Sequence, residues 1–331
     1  MKLAAIFCDN AVFQANKPIR VFGEGKGKGS IEFDGKEYFV KSDGYFEIEL
    51  DKHGYGGPYE LKYSFGKNVG VIKNIFVGEV LLLAGQSNLQ FTIGESEYEK
   101  SHVEIADNRL IRAYTTNRLE KNDALREEDG WVECTKENLL KWSALGYHLA
   151  TRISRERNCA VGIVCAYQGA SIIHTWLPRK VTLSDELRVD EQKLYTELYP
   201  LYLNWNLPGT LYEYQFRKIS RYNFGDVIWY QGETDAESVT NATYGKLLKA
   251  LVETWRSDMG DDVHFTIVQI HNLGEKPTKM WRTVQKQQLA AEKHIKNVTV
   301  VKSADLSETD NIHPVNKLPL ADRIFDLVFK K

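Results

Sequence analysis

The sequence contains few cysteines, and their spacing is not that of a paired set. Among 331 residues there are four, Cys8, Cys134, Cys159 and Cys165, and no two of them form a CxxC pair. Such scattered cysteines indicate neither a disulfide framework nor a zinc site. Cys165 lies in an apolar, strand-like run, where a thiol is a poor nucleophile. We therefore expect four buried thiols without a catalytic role.

An excess of one charge and long apolar runs are also missing. The chain has 43 Lys and Arg against 45 Asp and Glu, a net charge of −2, with no long block of one sign. Nucleic acid and anionic membranes bind basic patches, so neither is expected as a partner. The N-terminal MKLAAIF is too short for a signal peptide, and no apolar run approaches the ~20 residues of a membrane span. The sequence therefore predicts a cytoplasmic protein.

The first 75 residues have the alternating pattern of half-buried strands. Apolar and polar residues alternate in three runs between residues 31 and 63, which predicts antiparallel sheet. Asp34-Gly35 and Asp43-Gly44 have the composition of turns between these runs. The glycine-rich segment from Gly23 to Gly29 has neither phosphate-loop spacing nor a helix after it, so we expect a hairpin loop there. Residues 1–75 are predicted to form a small all-β domain.

From residue 76 to residue 331, short apolar strands alternate with amphipathic helices. This alternation is typical of βαβ units and predicts a doubly wound, flavodoxin-like α/β domain with five parallel strands. The predicted strands lie at residues 80–83, 161–166, 227–230, 264–270 and 298–301. The segments GQSN, QGAS, QGE and DNIH each follow one of them. Right-handed crossovers would gather these segments at the sheet edge where ligands bind in open α/β folds.

Three residues in those segments have the side chains of a serine hydrolase. Ser87 follows the first predicted strand as a candidate nucleophile, and His313 lies three residues after Asp310 as a candidate base with its carboxylate partner. The GxSxG motif of the common α/β-hydrolases is absent. Taken singly, each of the three is as consistent with an ordinary turn or loop residue. The other histidines show no metal-binding spacing, so neither a metal nor another cofactor is expected.

Seven motifs extend over nearly the whole chain. They are FCDNAVFQANKPIRVFGEG, GGPYEL, GEVLLLAGQSNLQF, WSALGYHLA, VGIVCAYQGASIIHTW, VIWYQGETDA and NIHPVNK. With these motifs in this order, the chain resembles the sialate O-acetylesterase and acetylxylan-esterase branch of the SGNH hydrolases. The resemblance implies an SGNH hydrolase fold and a serine esterase that removes O-acetyl groups from a carbohydrate, such as a sialic acid or a xylo-oligosaccharide, through an acyl-enzyme.

The resemblance also assigns roles to individual residues. It implies that Ser87 is the nucleophile and that Asp310 and His313 are the family's DxxH pair. It further implies an oxyanion hole made of the backbone N–H groups of Ser87 and Gly169 and the side-chain amide of Gln231. Other candidates, either to contact the substrate or to orient the groups that do, are Gln86, Asn88, His174, Trp176 and Glu233. For Glu233 we favour a role in orienting Gln231.

The sequence departs from the family pattern at Ala170, His174, Leu89 and Glu213. If His174 and Glu213 line the pocket, the substrate differs from the family's named ones. We expect a small or oligosaccharide acetyl ester as partner, while the identity of the sugar and the oligomeric state stay open. Two alternatives also stay open, a non-catalytic carbohydrate-binding protein on the same fold and a short-chain esterase for non-sugar esters.

Overall fold

The computed structural model of the protein describes residues 1–97, 107–119, 125–126, 130–198, 204–306 and 310–330. Its strands are β1 (Lys2–Leu3), β2 (Val12–Gln14), β3 (Ile19–Phe33), β4 (Lys36–Leu50), β5 (Gly56–Phe65), β6 (Asn68–Gly85), β7 (Asn108–Thr115), β8 (Arg118–Leu119), β9 (Leu125–Arg126), β10 (Trp131–Cys134), β11 (Val161–Tyr167), β12 (Asp226–Tyr230), β13 (His264–Val268) and β14 (Val298–Val301). Its α-helices are α1 (Ser87–Gln90), α2 (Ala144–Arg157), α3 (Arg179–Thr182), α4 (Glu191–Leu198), α5 (Arg217–Ile219), α6 (Tyr244–Met259), α7 (Lys279–His294) and α8 (Leu318–Ile324).

The five predicted strands lie side by side and parallel, in the order β11, β6, β12, β13, β14. Counted along the chain this is the order 2-1-3-4-5, which is that of flavodoxin-like sheets. Two further strands extend the sheet beyond β11, since β7 pairs with β11 in parallel and β10 pairs with β7 antiparallel. The α/β class is therefore confirmed, but the sheet is mixed and the predicted count of five strands was too low.

Helices cover the sheet with the apolar faces that their sequences predict. The hydroxyl of Ser143 caps α2 by accepting a hydrogen bond from the Gly146 N–H at 3.1 Å. The side chains of Leu145, Leu149 and Ile153, one turn apart on α2, are all fully buried. Burial of each such side chain contributes about 1.5 to 3 kcal/mol. None of the helices in the described part of the chain has the length and apolar composition of a membrane span.

The N-terminal strands form the predicted antiparallel sheet except for β2, which pairs with β6 in parallel, and two of the expected turns are wrong. The turn at Asp34-Gly35 is present, with φ of 47° and 76°. The glycine-rich segment 23–29 instead lies inside β3 and pairs with β4, so Asp43-Gly44 is also strand. A Cβ on Gly29 would lie 2.3 Å from the carbonyl oxygen of Ser64 on β5. These glycines allow close packing of neighbouring strands rather than a change of direction.

β6 connects the N-terminal strands to the parallel sheet. It passes residue 75, the predicted domain boundary, without a break, pairing with β5 in its first half and with β11 and β12 in its second. The division into domains at 1–75 and 76–331 stays a prediction. Of the cysteines, Cys134, Cys159 and Cys165 are buried as expected, whereas Cys8 is only half-buried.

Candidate active site

The chain leaves β6 through a sharp bend that presents Ser87 at the carboxyl edge of the sheet. Gly85 has a φ of 146°, and a Cβ there would lie 2.1 Å from the carbonyl oxygen of Tyr230 on the next strand. Only glycine fits both conditions. The chain then enters α1, where Ser87 is the first residue and is half-buried, while Asn88 and Leu89 behind it are fully buried.

A cavity of about 930 Å³ at this edge is lined by Ser87, Gly169 and His313. Gly169, just beyond β11, lies close to the serine, because a Cβ on it would be 3.8 Å from the Cβ of Ser87. The wall of the cavity includes side chains suited to a polar ligand or to packing on a flat ring, namely Gln90, Phe91, Glu95, Arg118, Lys141 and Trp142. The predicted nucleophile, base and one backbone donor therefore share one cavity, as expected from their strand ends.

His313 has the surroundings of a base that is neutral near pH 7. Its ring is half-buried, with its centroid 6.2 Å from that of Phe91. Burial lowers the pKa of His313, the nearby Lys317 ammonium lowers it further, and Glu95 opposes both by raising it. A neutral imidazole accepts a proton, as a general base must.

The predicted carboxylate partner of His313 does not contact it. Asp310 is exposed, and within the described residues its side chain makes no hydrogen bond to the imidazole. Glu95 is engaged with Thr92, whose N–H and hydroxyl both donate to its carboxylate at 2.8 Å. Asp305, another acid in the chain before this loop, is exposed and forms a two-pronged ion pair with Arg323. The triad is therefore incomplete in this structure, and the role of Asp310 stays a prediction.

Gln231 does not offer the oxyanion donor that was predicted. Its side-chain nitrogen donates to the carbonyl oxygen of Ser171 at 2.9 Å and to the carboxylate of Asp235 at 2.5 Å. Its side-chain oxygen accepts from the Tyr244 hydroxyl at 3.2 Å. An amide has two N–H donors, so none is left for the substrate. Since Gln231 is also fully buried, its role here is to link buried polar groups.

His174 and Trp176 were candidates either to contact the substrate or to orient the groups that do, and their burial argues against direct contact. Trp176 is 0% exposed and packs against Trp229 and Trp255, with ring centroids 6.0 and 6.2 Å away. His174 is 1% exposed, and burial lowers its pKa to about 4. Neither has a surface to present to a sugar. Glu213, the other departure that raised doubt about the substrate, is exposed at 3.7 Å from Arg217 and does not line the cavity.

A buried polar network lies directly behind the serine. The Asn88 amide donates to Glu233 at 2.6 Å and to the carbonyl oxygen of Ile312 at 3.0 Å, and it accepts from the Lys317 ammonium at 2.6 Å. Burial raises the pKa of Glu233 to about 7, with Asn88 and Lys317 opposing this rise. Glu233 thus orients Asn88, whereas the sequence had suggested Gln231. Lys317 was missed, and its place in NIHPVNK beside the predicted base was the available signal.

Gln86 ties the serine turn to the segment after β12. Its side-chain oxygen accepts from the N–H of Gly232 at 3.2 Å, and its nitrogen donates to the Thr234 hydroxyl at 3.4 Å. Gln86 is 2% exposed, so it supports the turn and has no surface for substrate. Within the described residues, no cluster of three or more His, Cys, Asp or Glu side chains is arranged to hold a metal.

Comparison with known proteins places the chain in a family. The structure of a carbohydrate acetylesterase from Xanthomonas citri superposes with a TM-score of 0.83 at 24% identity, covering 100% of this chain and 76% of that one. A protein from Arabidopsis thaliana gives a TM-score of 0.49 at 18% identity, covering 76% of this chain and 97% of that one. No curated protein gives a significant sequence match. The sequence profile of the family described as "Carbohydrate esterase, sialic acid-specific acetylesterase" matches residues 77–317, so the chain belongs to this family of carboxylic ester hydrolases.

Proposed function

We propose that Ser87 is the nucleophile and His313 the general base of this esterase, acting on O-acetyl groups carried by a carbohydrate. The observation that best supports this is the single cavity that Ser87, Gly169 and His313 line at the carboxyl edge of the sheet. A serine hydroxyl and a neutral imidazole that line the same cavity are the two groups that nucleophilic ester hydrolysis requires. Family membership supports the acetyl ester and the carbohydrate.

Hydrolysis then proceeds in two half-reactions. The Ser87 oxygen attacks the acetyl carbonyl carbon while its proton passes to His313, which gives a tetrahedral oxyanion. When the oxyanion collapses, the bond to the sugar oxygen breaks, that oxygen takes the proton from His313, and acetyl-Ser87 remains. A water molecule then attacks the acetyl group as His313 takes its proton. Acetate leaves, and the proton returns to Ser87.

The oxyanion needs donors, and the backbone supplies two. Ser87 is the first residue of α1, where an N–H has no partner within the helix. The Gly169 N–H donates to the side-chain oxygen of Gln90 at 3.0 Å, so Gln90 has to release this donor when an acetyl oxygen takes its place. Each backbone donor of this kind contributes about 3 kcal/mol to the stability of the transition state.

For Asp310 we keep the role of orienting the imidazole of His313. The two residues belong to one short loop, in which the Asp310 side chain is exposed. Catalytic hydrogen bonds are often longer or missing in unliganded enzymes and form in the substrate complex. An Asp partner would stabilise the imidazolium that forms as Ser87 attacks.

The size and lining of the cavity support a small sugar as substrate. A volume of about 930 Å³ is that of a site for a ligand of a few hundred daltons. Phe91 and Trp142 supply apolar surface, and Arg118 and Lys141 supply donors. We propose an acetylated monosaccharide or short oligosaccharide, with sialic acids and xylo-oligosaccharides as the first compounds to test. Neither His174 nor Glu213 lines this cavity.

Two measurements test this proposal. A serine-directed phosphonate should label Ser87, as mapped by mass spectrometry, and the label should be lost in His313→Ala. Acetate release should be measured on acetylated sialic acids, xylo-oligosaccharides and hexoses, beside aryl esters of increasing acyl length. We expect acetyl to exceed butyryl, and octanoyl to be poor. Hydrolysis of long acyl esters with no release from any sugar would refute the carbohydrate substrate, and an unlabelled Ser87 would refute the mechanism.

A cytoplasmic location is proposed from the sequence alone. It is tested by fractionating cells that express the protein from its native gene and detecting it with an antibody. Recovery with a cytoplasmic marker enzyme is the expected result. Recovery from the medium or the envelope would show that the esterase meets its substrate elsewhere.

A further inference from the structure

The backbone carbonyl groups of the two residues before His313 both accept hydrogen bonds that hold this segment in place. The carbonyl oxygen of Asn311 is 2.9 Å from Nε2 of His271, and that of Ile312 accepts from the Asn88 amide at 3.0 Å. The first donor comes from the chain just after β13, and the second from α1, next to Ser87. Two consecutive carbonyls are therefore fixed to two different parts of the carboxyl edge.

His271 is the donor in its hydrogen bond, and its tautomer follows from the partner. A carbonyl oxygen only accepts, so the proton lies on Nε2. The ring is 0% exposed, and none of the described residues forms a hydrogen bond with its other nitrogen, Nδ1. Burial lowers the pKa of His271 to about 4, and the charges of Lys317 and His313 lower it further, while the Asn311 carbonyl opposes them. His271 is therefore a neutral, fixed donor at pH values well above 4.

The ring of His271 is itself held from behind. Its edge meets the face of Trp281 on α7, with centroids 6.4 Å apart at 80°. The indole N–H of Trp281 donates to the backbone carbonyl oxygen of His271 at 2.8 Å. The side chain of Gln285, one turn further on, donates to the carbonyl oxygen of Ile270 at 3.0 Å. Backbone and ring are thus both immobilised, which a residue that orients another one requires.

Asn311 passes this restraint on to His313. Its backbone oxygen receives the His271 hydrogen bond, and its side-chain oxygen accepts from the His313 N–H at 2.9 Å. The hydrogen bond of His271 therefore goes to Asn311, the same residue that accepts from the His313 N–H, and a role confined to the core does not require this.

We propose that His271 is a positioning residue, whose Nε2–H fixes the Asn311 carbonyl and thereby holds the imidazole of His313 toward Ser87. The inference rests on the proposed roles of Ser87 and His313. It assigns a function to a residue that touches neither substrate nor reacting atoms. Displacement of a catalytic group by about 1 Å lowers rates by as much as about 10²-fold.

The test compares two substitutions of His271 in the whole protein. His271→Phe keeps the ring volume and removes the donor, whereas His271→Gln retains an N–H near the position of Nε2. The matched control is His148→Phe, which replaces another buried histidine, on α2. Each variant is assayed on an acetyl aryl ester for kcat, KM and the pH dependence of kcat/KM, per mole of folded enzyme.

We expect His271→Phe to lower kcat by about 10- to 100-fold with KM within about threefold of wild type. Its acid limb should move to higher pH, because a loosened His313 is better solvated and loses the burial that lowers its pKa. His271→Gln and His148→Phe should stay within about threefold of wild type. A His271→Phe enzyme with unchanged kcat and pH profile would overturn the proposal, as would a Gln variant as impaired as the Phe variant.

Two further arms keep the test decisive. If His271→Phe does not fold, long-range ¹H–¹⁵N spectra of histidine-labelled wild type decide the matter. They should show His271 neutral and protonated on Nε2 at pH 6, and a proton on Nδ1 would refute the inference. Ser87→Ala and His313→Ala are assayed beside these variants. If both retain activity, the proposed function fails, whereas full loss in both with an unaffected His271→Phe disproves only the positioning role.

Discussion

The buried carboxyl group of Glu233 should make the stability of the protein depend on pH. Burial raises its pKa from 4.5 to about 7, although Asn88 donates to it at 2.6 Å. Between these two values the folded protein holds a proton that the unfolded chain has released. Stability is therefore lost as the pH rises through this window, and above about 7 the loss is complete. At about 1.36 kcal/mol for each pKa unit, the loss amounts to about 3 kcal/mol.

Glu233→Gln isolates this contribution, because the amide keeps the size of the side chain and still accepts from Asn88. The free energy of unfolding should be measured by denaturant titration at pH 5, 6, 7 and 8. The wild type should lose about 2.5 kcal/mol more than the variant between pH 5 and pH 8, since part of the window lies below pH 5. Glu253→Gln, which removes an exposed carboxylate on α6, is the control and should follow the wild type. Parallel curves for wild type and Glu233→Gln would refute the reasoning.

Three shorter predictions concern the proposed catalytic residues, and a fourth concerns Gln231. Ser87→Ala should keep its fold by circular dichroism and lower kcat on an acetyl ester by roughly 10⁴ to 10⁶, since the catalytic groups act as a unit. The acid limb of kcat/KM should fall below 6.5, because burial and Lys317 lower the pKa of His313; a limb above 6.5 would contradict this. Asp310→Asn should lower kcat by at least about tenfold, and an unchanged rate would remove Asp310 from the mechanism. Gln231→Ala should lower the free energy of unfolding by about 1 to 3 kcal/mol in denaturant, since it removes one donor to the buried Asp235 carboxylate and leaves that of the Ile173 N–H.

The sequence predicted the five mainly apolar strands and missed β7 and β10, the first of which carries a buried charge. Each of the five predicted strands is a short, mostly apolar run. Such a run is typical of a central strand that is covered on both faces. Arg112 interrupts the pattern of β7, yet it is 1% exposed. Its guanidinium lies over the ring of Phe76 at 4.2 Å and is 3.3 Å from Glu133 on β10. Those partners are 36 and 21 residues away in sequence, so local periodicity does not reveal them.

In the candidate site, the sequence likewise predicted some features and missed others. Position after a strand was enough to place Ser87, Gly169 and His313 at one cavity, because all carboxyl ends of a parallel sheet meet at one edge. The orientation of a side chain is not set by such a rule. Gln231 turns toward Asp235, four residues on, and Trp176 packs into an aromatic cluster. Both residue types suit a sugar site as well as a core, and only the tertiary neighbours decide between them.

The network behind the serine gives a physical reason why Ser87 and His313 keep a fixed relation although they are 226 residues apart. Asn88 follows the nucleophile directly and donates to the carbonyl that precedes the base. Its amide is orientated from both sides, by the Lys317 ammonium at its oxygen and by Glu233 at its nitrogen. A flipped amide would place N–H against the ammonium and oxygen against the carboxylate, so one rotamer is strongly favoured. Burial of a lysine or an acid alone lowers stability. Here both groups bind the Asn88 amide, and that amide holds the segment of His313 against α1, which carries Ser87.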